Sequence, residues 1–209
     1  MSEVTFLPIF NADDYNEQVA SPYALLERNN LENRILWIDQ EINENISLEY
    51  IKCIHTWNFE DIGKPKEDRK PIRLMIFSYG GSLDVCNAIR DTIKASVTPI
   101  YGYNIGQADS AAGVIFVSCH KRYMFENSQL LIHKGSGSFS GNYAEVVAQI
   151  MNYQTQIENL AQFFKTCSSI PDEIFNEHFG DEWYVNAEEA VEWKLADKII
   201  KTLDEVLEC

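Results

Sequence analysis

Basic side chains are scarce in this sequence of 209 residues: 17 lysines and arginines stand against 32 aspartates and glutamates, a formal net charge of −15. Nucleic-acid-binding proteins usually carry a basic surface, and anionic membranes also attract basic segments. The shortage of positive charge therefore argues against a nucleic-acid partner and against a membrane partner. The acid excess by itself indicates only good solubility.

Long apolar runs and paired cysteines are absent as well. No stretch approaches the ~20 apolar residues of a membrane-spanning helix. The N-terminal "MSEVTFLPIFNADD" has no basic region followed by an apolar core, so no secretory signal is expected. The cysteines form no C-x-x-C pair, and an odd, dispersed set is typical of a reducing compartment: Cys53, Cys86, Cys119, Cys167 and Cys209. We therefore expect a cytoplasmic protein without a disulfide framework.

Signatures of bound cofactors are missing too. The four histidines, His55, His120, His133 and His178, show no spacing typical of metal ligands. No Gly-Lys-Ser/Thr follows the paired glycines at 80 and 81, which excludes a phosphate loop there. The expected cofactor set is therefore empty: no metal and no nucleotide.

What the sequence does contain is a regular alternation of apolar runs and amphipathic segments, with 45% hydrophobic and 23% charged residues. Strands are predicted at 34–42, 72–77, 99–105, 121–126 and 129–134, and helices at 47–60, 83–96, 110–119, 143–165 and 187–195. Ser47 and Asn186 are the expected N-caps of the first and last of these helices. Such alternation predicts an α/β fold of parallel β/α units with right-handed crossovers in one domain.

Two candidate functional elements follow predicted strands, where α/β folds gather their active sites. Gly80 and Gly81 come after the strand at 72–77, and paired glycines let a backbone approach a ligand closely, although a plain turn is the usual explanation of a lone glycine pair. Ser110, in "NIGQADSAAGVIF", opens an apolar helix, where unpaired N–H groups and the helix dipole stabilise an oxyanion. Serine is also a favoured N-cap without any catalytic role.

His133 is the third candidate, at the end of the strand "QLLIH" and beside the loop "GSGSFSG". As a general base it needs a serine within hydrogen-bond distance and a third group to orient its ring. A structural histidine, partly buried and satisfied, is the alternative interpretation.

In this order along the chain, these elements resemble the proteolytic subunit of the Clp protease, a serine peptidase of the Clp/crotonase fold. The similar segments run from about Leu25 to Ile200 and include "IRLMIFSYGGS", "IGQADSAAGVIF" and "NAEEAVEWKLADKII". The resemblance implies a single Clp/crotonase-like catalytic domain at 25–203 with a protruding handle at 134–168. An N-terminal arm at 1–24 and a C-terminal tail at 204–209 would flank it.

The resemblance also implies roles for individual residues. Ser110 matches the nucleophile, His133 the general base, and the backbone N–H groups of Gly81 and Ala111 the oxyanion hole. The implied reaction is hydrolysis of peptide bonds through an acyl-enzyme. The implied partners are further copies of the chain in heptameric or similar rings, two of them stacked, a AAA+ unfoldase ATPase, and unfolded polypeptide as substrate.

The third member of the triad departs from the family pattern. The family places an aspartate in the loop that reads "FNEHFGDEWYVNAEEA" here, and an ungapped match puts His178 at that position. A small shift brings in Asp181, which we expect to be the acid. Glu177, or no acid at all, are the alternatives.

Three further departures lie next to the matched residues. Tyr79 replaces the usual proline before the glycine pair, and Lys134 follows His133 where an amide residue is usual. Asp109 directly precedes Ser110, where the family has a small apolar residue. A carboxylate there opposes negative charge that develops nearby, unless it points into solvent.

Three other functions fit parts of this pattern. A catalytically impaired ring subunit that pairs with an active relative would explain Asp109 and the uncertain acid. A crotonase-type acyl-CoA enzyme has the same fold and stabilises an enolate with two backbone N–H groups, but needs no serine–histidine pair. A phage or prophage relative would differ in substrate rather than in chemistry.

Overall fold

The computed structural model describes residues 21–207 and divides the chain into two compact units, 1–33 and 34–209. The first unit contributes one described helix, α1 (Pro22–Glu32). Ser21 is the N-cap of this helix, and its hydroxyl oxygen accepts a hydrogen bond from the Ala24 N–H. Proline occupies the first helical position, where an N–H would have no partner within the helix, so its missing N–H costs nothing. Most of the expected N-terminal arm lies outside the described residues.

A seven-stranded sheet forms the centre of the second unit. Its strands are β1 (Ile35–Ile38), β2 (Ile72–Ser78), β3 (Ile100–Asp109), β4 (Lys121–Phe125), β5 (Gln129–Ile132), β6 (Trp183–Asn186) and β7 (Lys198–Ile200). Five of them lie in the order β1-β2-β3-β4-β7, while β5 pairs with β3 and β6 pairs with β5. All of these pairings are parallel except the one between β5 and β6.

Helices connect the strands and extend from the sheet. They are α2 (Glu44–Asp61), α3 (Leu83–Ala95), α4 (Ala111–Ser118), α5 (Tyr143–Cys167), α6 (Asp172–His178), α7 (Ala187–Glu192) and α8 (Asp204–Leu207). The alternation from β1 through β4 confirms the predicted α/β class. The short helix α8 lies in the expected C-terminal tail, and its Val206 is buried in a cluster with Met75, Tyr103 and Tyr123.

Parts of the secondary-structure prediction were wrong. Helix α2 begins at Glu44 rather than after Ser47, because Asn43 caps it by accepting a hydrogen bond from the Asn45 N–H. Helix α6 and the antiparallel strand β6 were not predicted at all. Strand β6 is only four residues long, so its alternation of apolar and polar residues is a weak signal in the sequence.

Strand β3 changes partners along its length, and this change forms the site described below. Its first part pairs with β4 through Tyr101–Asn104, and its last part pairs with β5 through Gln107–Asp109. Between them, the Asn104 side chain donates to the Gln129 carbonyl at 2.8 Å and accepts from the Gly106 N–H at 3.1 Å. The end of β3 and the end of β5 therefore meet at one edge of the sheet.

Helix α4 starts at this edge and is buried through residues 111–117. It is apolar on all sides, which is the pattern of a helix enclosed by the core. Its first residues are therefore held firmly against the sheet.

A buried ion pair joins the start of β1 to the end of α2. The Arg34 guanidinium donates to both carboxylate oxygens of Asp61, at 2.6 and 3.2 Å, and Asp61 also accepts from Thr98 Oγ1 at 2.9 Å and Lys64 Nζ at 2.9 Å. Burial alone would raise the pKa of the Asp61 carboxyl, but these donors outweigh it and hold the pKa well below its usual range.

Removing this carboxylate should destabilise the fold. We expect Asp61→Asn to lower the free energy of unfolding by about 3–5 kcal/mol at pH 7, because Arg34 then stays buried without its main counter-charge. Urea denaturation at a fixed protein concentration measures the loss. Glu60→Gln is the matched control: Glu60 also binds Arg34, but its side chain is 51% exposed, so the change should cost less than ~1 kcal/mol.

The same pair predicts a pH dependence. Because the folded-state pKa of Asp61 is depressed, its contribution is complete above the unfolded-state pKa of ~3.9 and is lost as the pH falls toward the folded value. The difference between wild type and Asp61→Asn should therefore shrink below about pH 4. Equal urea midpoints at pH 7 would contradict this role of Asp61.

Candidate active site

Ser110 lies in a sharp turn between β3 and α4. Its backbone has φ 54° and ψ −122°, and its N–H donates to the Leu131 carbonyl of β5 at 2.9 Å. It occupies the N-cap position of α4, yet its side chain makes no capping hydrogen bond. A residue with a side chain is strained in this backbone region and persists there only where its surroundings impose it, which is common at functional sites.

The glycine pair packs between this serine turn and a neighbouring backbone segment. Gly80 and Gly81 have φ +96° and +152°, in the region that favours glycine. A Cβ on Gly80 would lie 2.6 Å from the Asp109 carbonyl oxygen, and one on Gly81 would lie 2.3 Å from the Ile42 carbonyl oxygen. Backbone atoms therefore approach closely on both sides and require glycine at positions 80 and 81. The pair is more than a plain turn.

Two backbone N–H groups next to Ser110 remain available to a ligand. Ile42 donates its N–H to the Gly80 carbonyl and accepts from the Ser82 N–H, which leaves the Gly81 N–H outside this bridge. Ala111 is the first residue of α4, where an N–H has no acceptor within the helix. Both residues line the cavity that Ser110 lines.

His133 follows β5 directly and is held by Glu182. The antiparallel register pairs Ile132 with Trp183, so its continuation by one residue places His133 opposite Glu182. The two side chains meet at 2.8 Å between His133 Nδ1 and Glu182 Oε1. A carboxylate only accepts hydrogen bonds, so Nδ1 carries the hydrogen, and in the neutral ring Nε2 is the acceptor that a general base needs.

The carboxylate at His133 is therefore Glu182 and not the expected Asp181. Asp181 lies in the turn after α6, where its N–H donates to the His178 carbonyl at 2.9 Å. Of the other candidates, Glu177 lies on α6, and His178 stacks on the Trp183 ring with centroids 5.2 Å apart.

The alternation in "EWYVN" was the signal that could have identified Glu182. Trp183 and Val185 are buried while Tyr184 and Asn186 are exposed, the pattern of a half-buried strand. Once that strand is paired with β5, Glu182 falls beside His133.

Ser110 and His133 line the same cavity, whose volume is about 630 Å³. His133 Nε2 is buried and has no hydrogen-bond partner among residues 21–207, so the structure holds the two groups in one cavity without a bond between them. Such bonds are often long before substrate binds and tighten in the complex. The remaining wall includes Tyr79, Asp84, Val114, Tyr153, Leu160 and Phe164.

Asp109 does not point into solvent, the orientation in which its carboxylate would have little effect on negative charge that develops nearby. It is only 3% exposed, and its Oδ1 has no hydrogen-bond partner among the described residues. Burial raises the pKa of the Asp109 carboxyl above its usual value, the nearby His133 opposes this rise, and Glu182 adds to it.

The chemistry that this cavity supports is that of a serine hydrolase. A hydroxyl and an imidazole oriented by a carboxylate meet at the carboxyl ends of neighbouring parallel strands, with two backbone N–H groups beside them.

Comparison with known proteins gives the family. The family model for Clp protease matches residues 18–203. Over 175 residues the chain is 32% identical to the ATP-dependent Clp protease proteolytic subunit 2 of Chlamydia abortus, a match that covers 82% of each chain. Over 176 residues it is 31% identical to subunit 2 of Tropheryma whipplei, covering 81% of this chain and 92% of the relative. The chain belongs to the Clp protease family, which confirms the resemblance and the enzyme class predicted from the sequence.

The fold agrees with this assignment. The solved structure of a ClpP1 point mutant from Listeria monocytogenes matches with a TM-score of 0.71 at 20% identity, covering 86% of this chain and 98% of that one. This confirms the Clp-like α/β fold. Between residues 21 and 207 no helix combines the length and apolarity that crossing a membrane requires.

Substituting Gly80 should disturb the serine turn. We expect Gly80→Ala to slow labelling of Ser110 by a fluorophosphonate at least about tenfold, because the new Cβ would lie 3.0 Å from the Ala111 nitrogen, one of the two donors. Gly63→Ala is the control: Gly63 also has a positive φ, +84°, but nothing lies within 4 Å of the position that its Cβ would take. Equal labelling rates in the two variants would contradict this packing role.

Removing the carboxylate at His133 should weaken the base. We expect Glu182→Gln to reduce the labelling rate about 10²-fold, because an amide does not stabilise the protonated ring. Replacing a buried triad aspartate by asparagine costs ~10⁴-fold. The expected loss is smaller here because the Glu182 side chain is 63% exposed and its charge is screened by solvent.

Asp181→Asn is the matched control and should change the rate less than about threefold, because Asp181 does not touch the ring. The opposite ranking of the two variants would restore Asp181 as the acid.

Proposed function

We propose that the chain is a serine endopeptidase subunit that hydrolyses peptide bonds of unfolded polypeptides inside a ring-shaped chamber. The observation that carries the proposal is the orientation of His133. Its Nδ1 is occupied by Glu182, and its Nε2 remains available for a hydroxyl in the cavity that Ser110 lines.

The reaction follows from these groups in four steps. Ser110 Oγ attacks the carbonyl carbon of the scissile peptide while His133 Nε2 takes the hydroxyl proton, and Glu182 stabilises the ring once both nitrogens carry hydrogen. The negative oxygen of the tetrahedral intermediate accepts hydrogen bonds from the N–H groups of Gly81 and Ala111. His133 then gives its proton to the leaving amine, and water releases the acyl group by the reverse sequence.

The cavity also suits an extended peptide. It continues from His133 along Lys134, Gly135, Ser136 and Ser138, a segment outside the described helices and strands. An extended substrate backbone lying beside this segment would pair with it as an added strand. We assign this segment to substrate binding.

Assembly and partners complete the proposal. The chain forms heptameric or similar rings, two of them stacked through the handle at 134–168, and receives substrate from a AAA+ unfoldase ATPase in the cytoplasm. The exposed apolar side chains on α5 support a contact there: Tyr143 is 86% exposed and Met151 is 65% exposed. Exposed apolar patches of this kind are typical of contact surfaces.

A second candidate function is a catalytically impaired ring subunit that pairs with an active relative. It is favoured by one observation: Asp109, next to Ser110, is buried, and its Oδ1 has no hydrogen-bond partner among the described residues.

Fluorophosphonate labelling followed by mass spectrometry tests the proposal. We expect one adduct on Ser110, no adduct in Ser110→Ala, and loss of peptide hydrolysis in the same variant. Ser118→Ala is the control, because Ser118 does not line the cavity and donates its hydroxyl to the Val114 carbonyl one turn earlier in α4, and it should label like wild type.

Two results separate the candidates. Labelling of Ser110 only after mixing with an active relative would favour the impaired subunit. No labelling of Ser110 in either preparation, together with equal peptide hydrolysis by wild type and Ser110→Ala, would overturn the proposal.

A further inference from the structure

One wall of the cavity that Ser110 lines is a face of helix α5. Tyr153, Gln156, Leu160 and Phe164 all line the cavity, and their spacing of three or four residues places them on one side of the helix. Leu160 and Phe164 are buried. The wall therefore changes along the helix from a polar end at Gln156 to an apolar end at Leu160 and Phe164.

Asp84 brings a negative charge to the polar end of this wall. It lies in the first turn of α3, close after Gly81 in the chain, and lines the same cavity. Its Oδ1 accepts a hydrogen bond from Gln156 Nε2 at 2.9 Å, so the carboxylate lies beside α5 one turn before Leu160. An acidic residue in the first turn also stabilises a helix through its dipole, a role that needs no ligand.

The charge of Asp84 is not neutralised by a neighbouring cation. Between residues 21 and 207 no basic side chain forms an ion pair with it. Lys134 also lines the cavity, but its Nζ lies 5.7 Å from the centre of the Phe179 ring, which is not part of the cavity wall. A carboxylate accepts about four hydrogen bonds, and the Gln156 amide uses one of them. Asp84 can therefore accept further bonds from a ligand.

These groups suit a ligand with an apolar stem and a positive end. Lysine and arginine side chains lay their aliphatic carbons on apolar surface and keep the charged end at a polar one. Val114, Leu160 and Phe164 are the buried apolar residues that would contact the stem. The charged end would donate to Asp84 and to the amide oxygen of Gln156, whose nitrogen is already turned to Asp84.

The position of Ser110 indicates which substrate residue would be selected. Val114 lies one turn after Ser110 in α4, and its N–H donates to the Ser110 carbonyl at 3.2 Å. The substrate residue whose carbonyl Ser110 attacks is the one closest to this turn. We therefore expect the side chain of that residue to enter the cavity.

We propose that Asp84 is a specificity-determining residue that gives the site a preference for peptide bonds after lysine or arginine. This inference rests on the proposed serine peptidase function and adds its substrate class. A hydrogen bond between an ammonium or guanidinium group and a carboxylate is stronger than one between neutral groups. Asp84 is exposed in the structure, so solvent screening keeps the preference moderate.

A pair of fluorogenic peptides tests this preference. The two peptides differ only in the residue before the cleaved bond, which is lysine in one and norleucine, the same carbon chain without the ammonium group, in the other. We expect wild type to cleave the lysine peptide with a kcat/KM about fivefold higher. Asp84→Asn should bring the ratio of the two kcat/KM values to within about twofold of one, because an amide carries no charge.

The ratio separates this role from a structural one. A weaker helix α3 would slow both peptides together and leave their ratio unchanged. Asp91→Asn is the matched control: it removes the same charge from α3 outside the cavity, where Asp91 is 72% exposed, and should keep the wild-type ratio. A wild-type ratio of one or less, or equal ratios in wild type and Asp84→Asn, would overturn the role of Asp84.

Binding to Ser110→Ala is a second readout that needs no activity. Fluorescence anisotropy of the same two peptides should show tighter binding of the lysine peptide, and adding Asp84→Asn to Ser110→Ala should remove the difference. Hydrolysis with equal ratios in wild type and Asp84→Asn would refute only the role of Asp84. Absence of hydrolysis and of Ser110 labelling, with the binding preference present and dependent on Asp84, would refute only the peptidase proposal. Absence of both would refute both.

Discussion

The register between β3, β5 and β6 is the constraint on which the site depends. Because side chains alternate along a strand, a slip of one residue would move Asp109, His133 or Glu182 to the opposite face. The register is held by buried residues on the other face, among them Ala108, Leu130 and Val185, each 1% exposed or less. The apolar core thus decides which polar side chains share the face of the sheet that carries His133.

Backbone strain and close packing complete the arrangement. Ser110 adopts a conformation that a side chain disfavours, and three features hold it there: the hydrogen bond of its N–H to Leu131, the buried helix α4, and the contact with Gly80. The same constraints keep Gly81 and Ala111 at the wall of the cavity beside the serine. A site built this way is organised before substrate arrives, which is what electrostatic stabilisation of an oxyanion requires.

Electrostatics distinguish this chain from the family pattern that it otherwise follows. Two carboxylates lie on the face of the sheet that carries His133: Glu182, which bonds the ring, and Asp109, whose Oδ1 has no hydrogen-bond partner among the described residues. Glu182 is largely exposed and Asp109 is buried, so solvent screens the first more than the second.

The sequence by itself determined the α/β class, the family, and the candidates Ser110, His133 and the glycine pair, because these reside in local patterns: a short apolar strand, a glycine turn, and a serine at a helix start. It did not determine the acid, since Asp181 and Glu182 are adjacent carboxylates and only the pairing of β6 with β5 separates them. Nor did it determine whether Asp109 points into solvent or is buried. Both questions concern which residues lie opposite one another across strands distant in sequence, and that is decided only when the sheet assembles and its core selects the register.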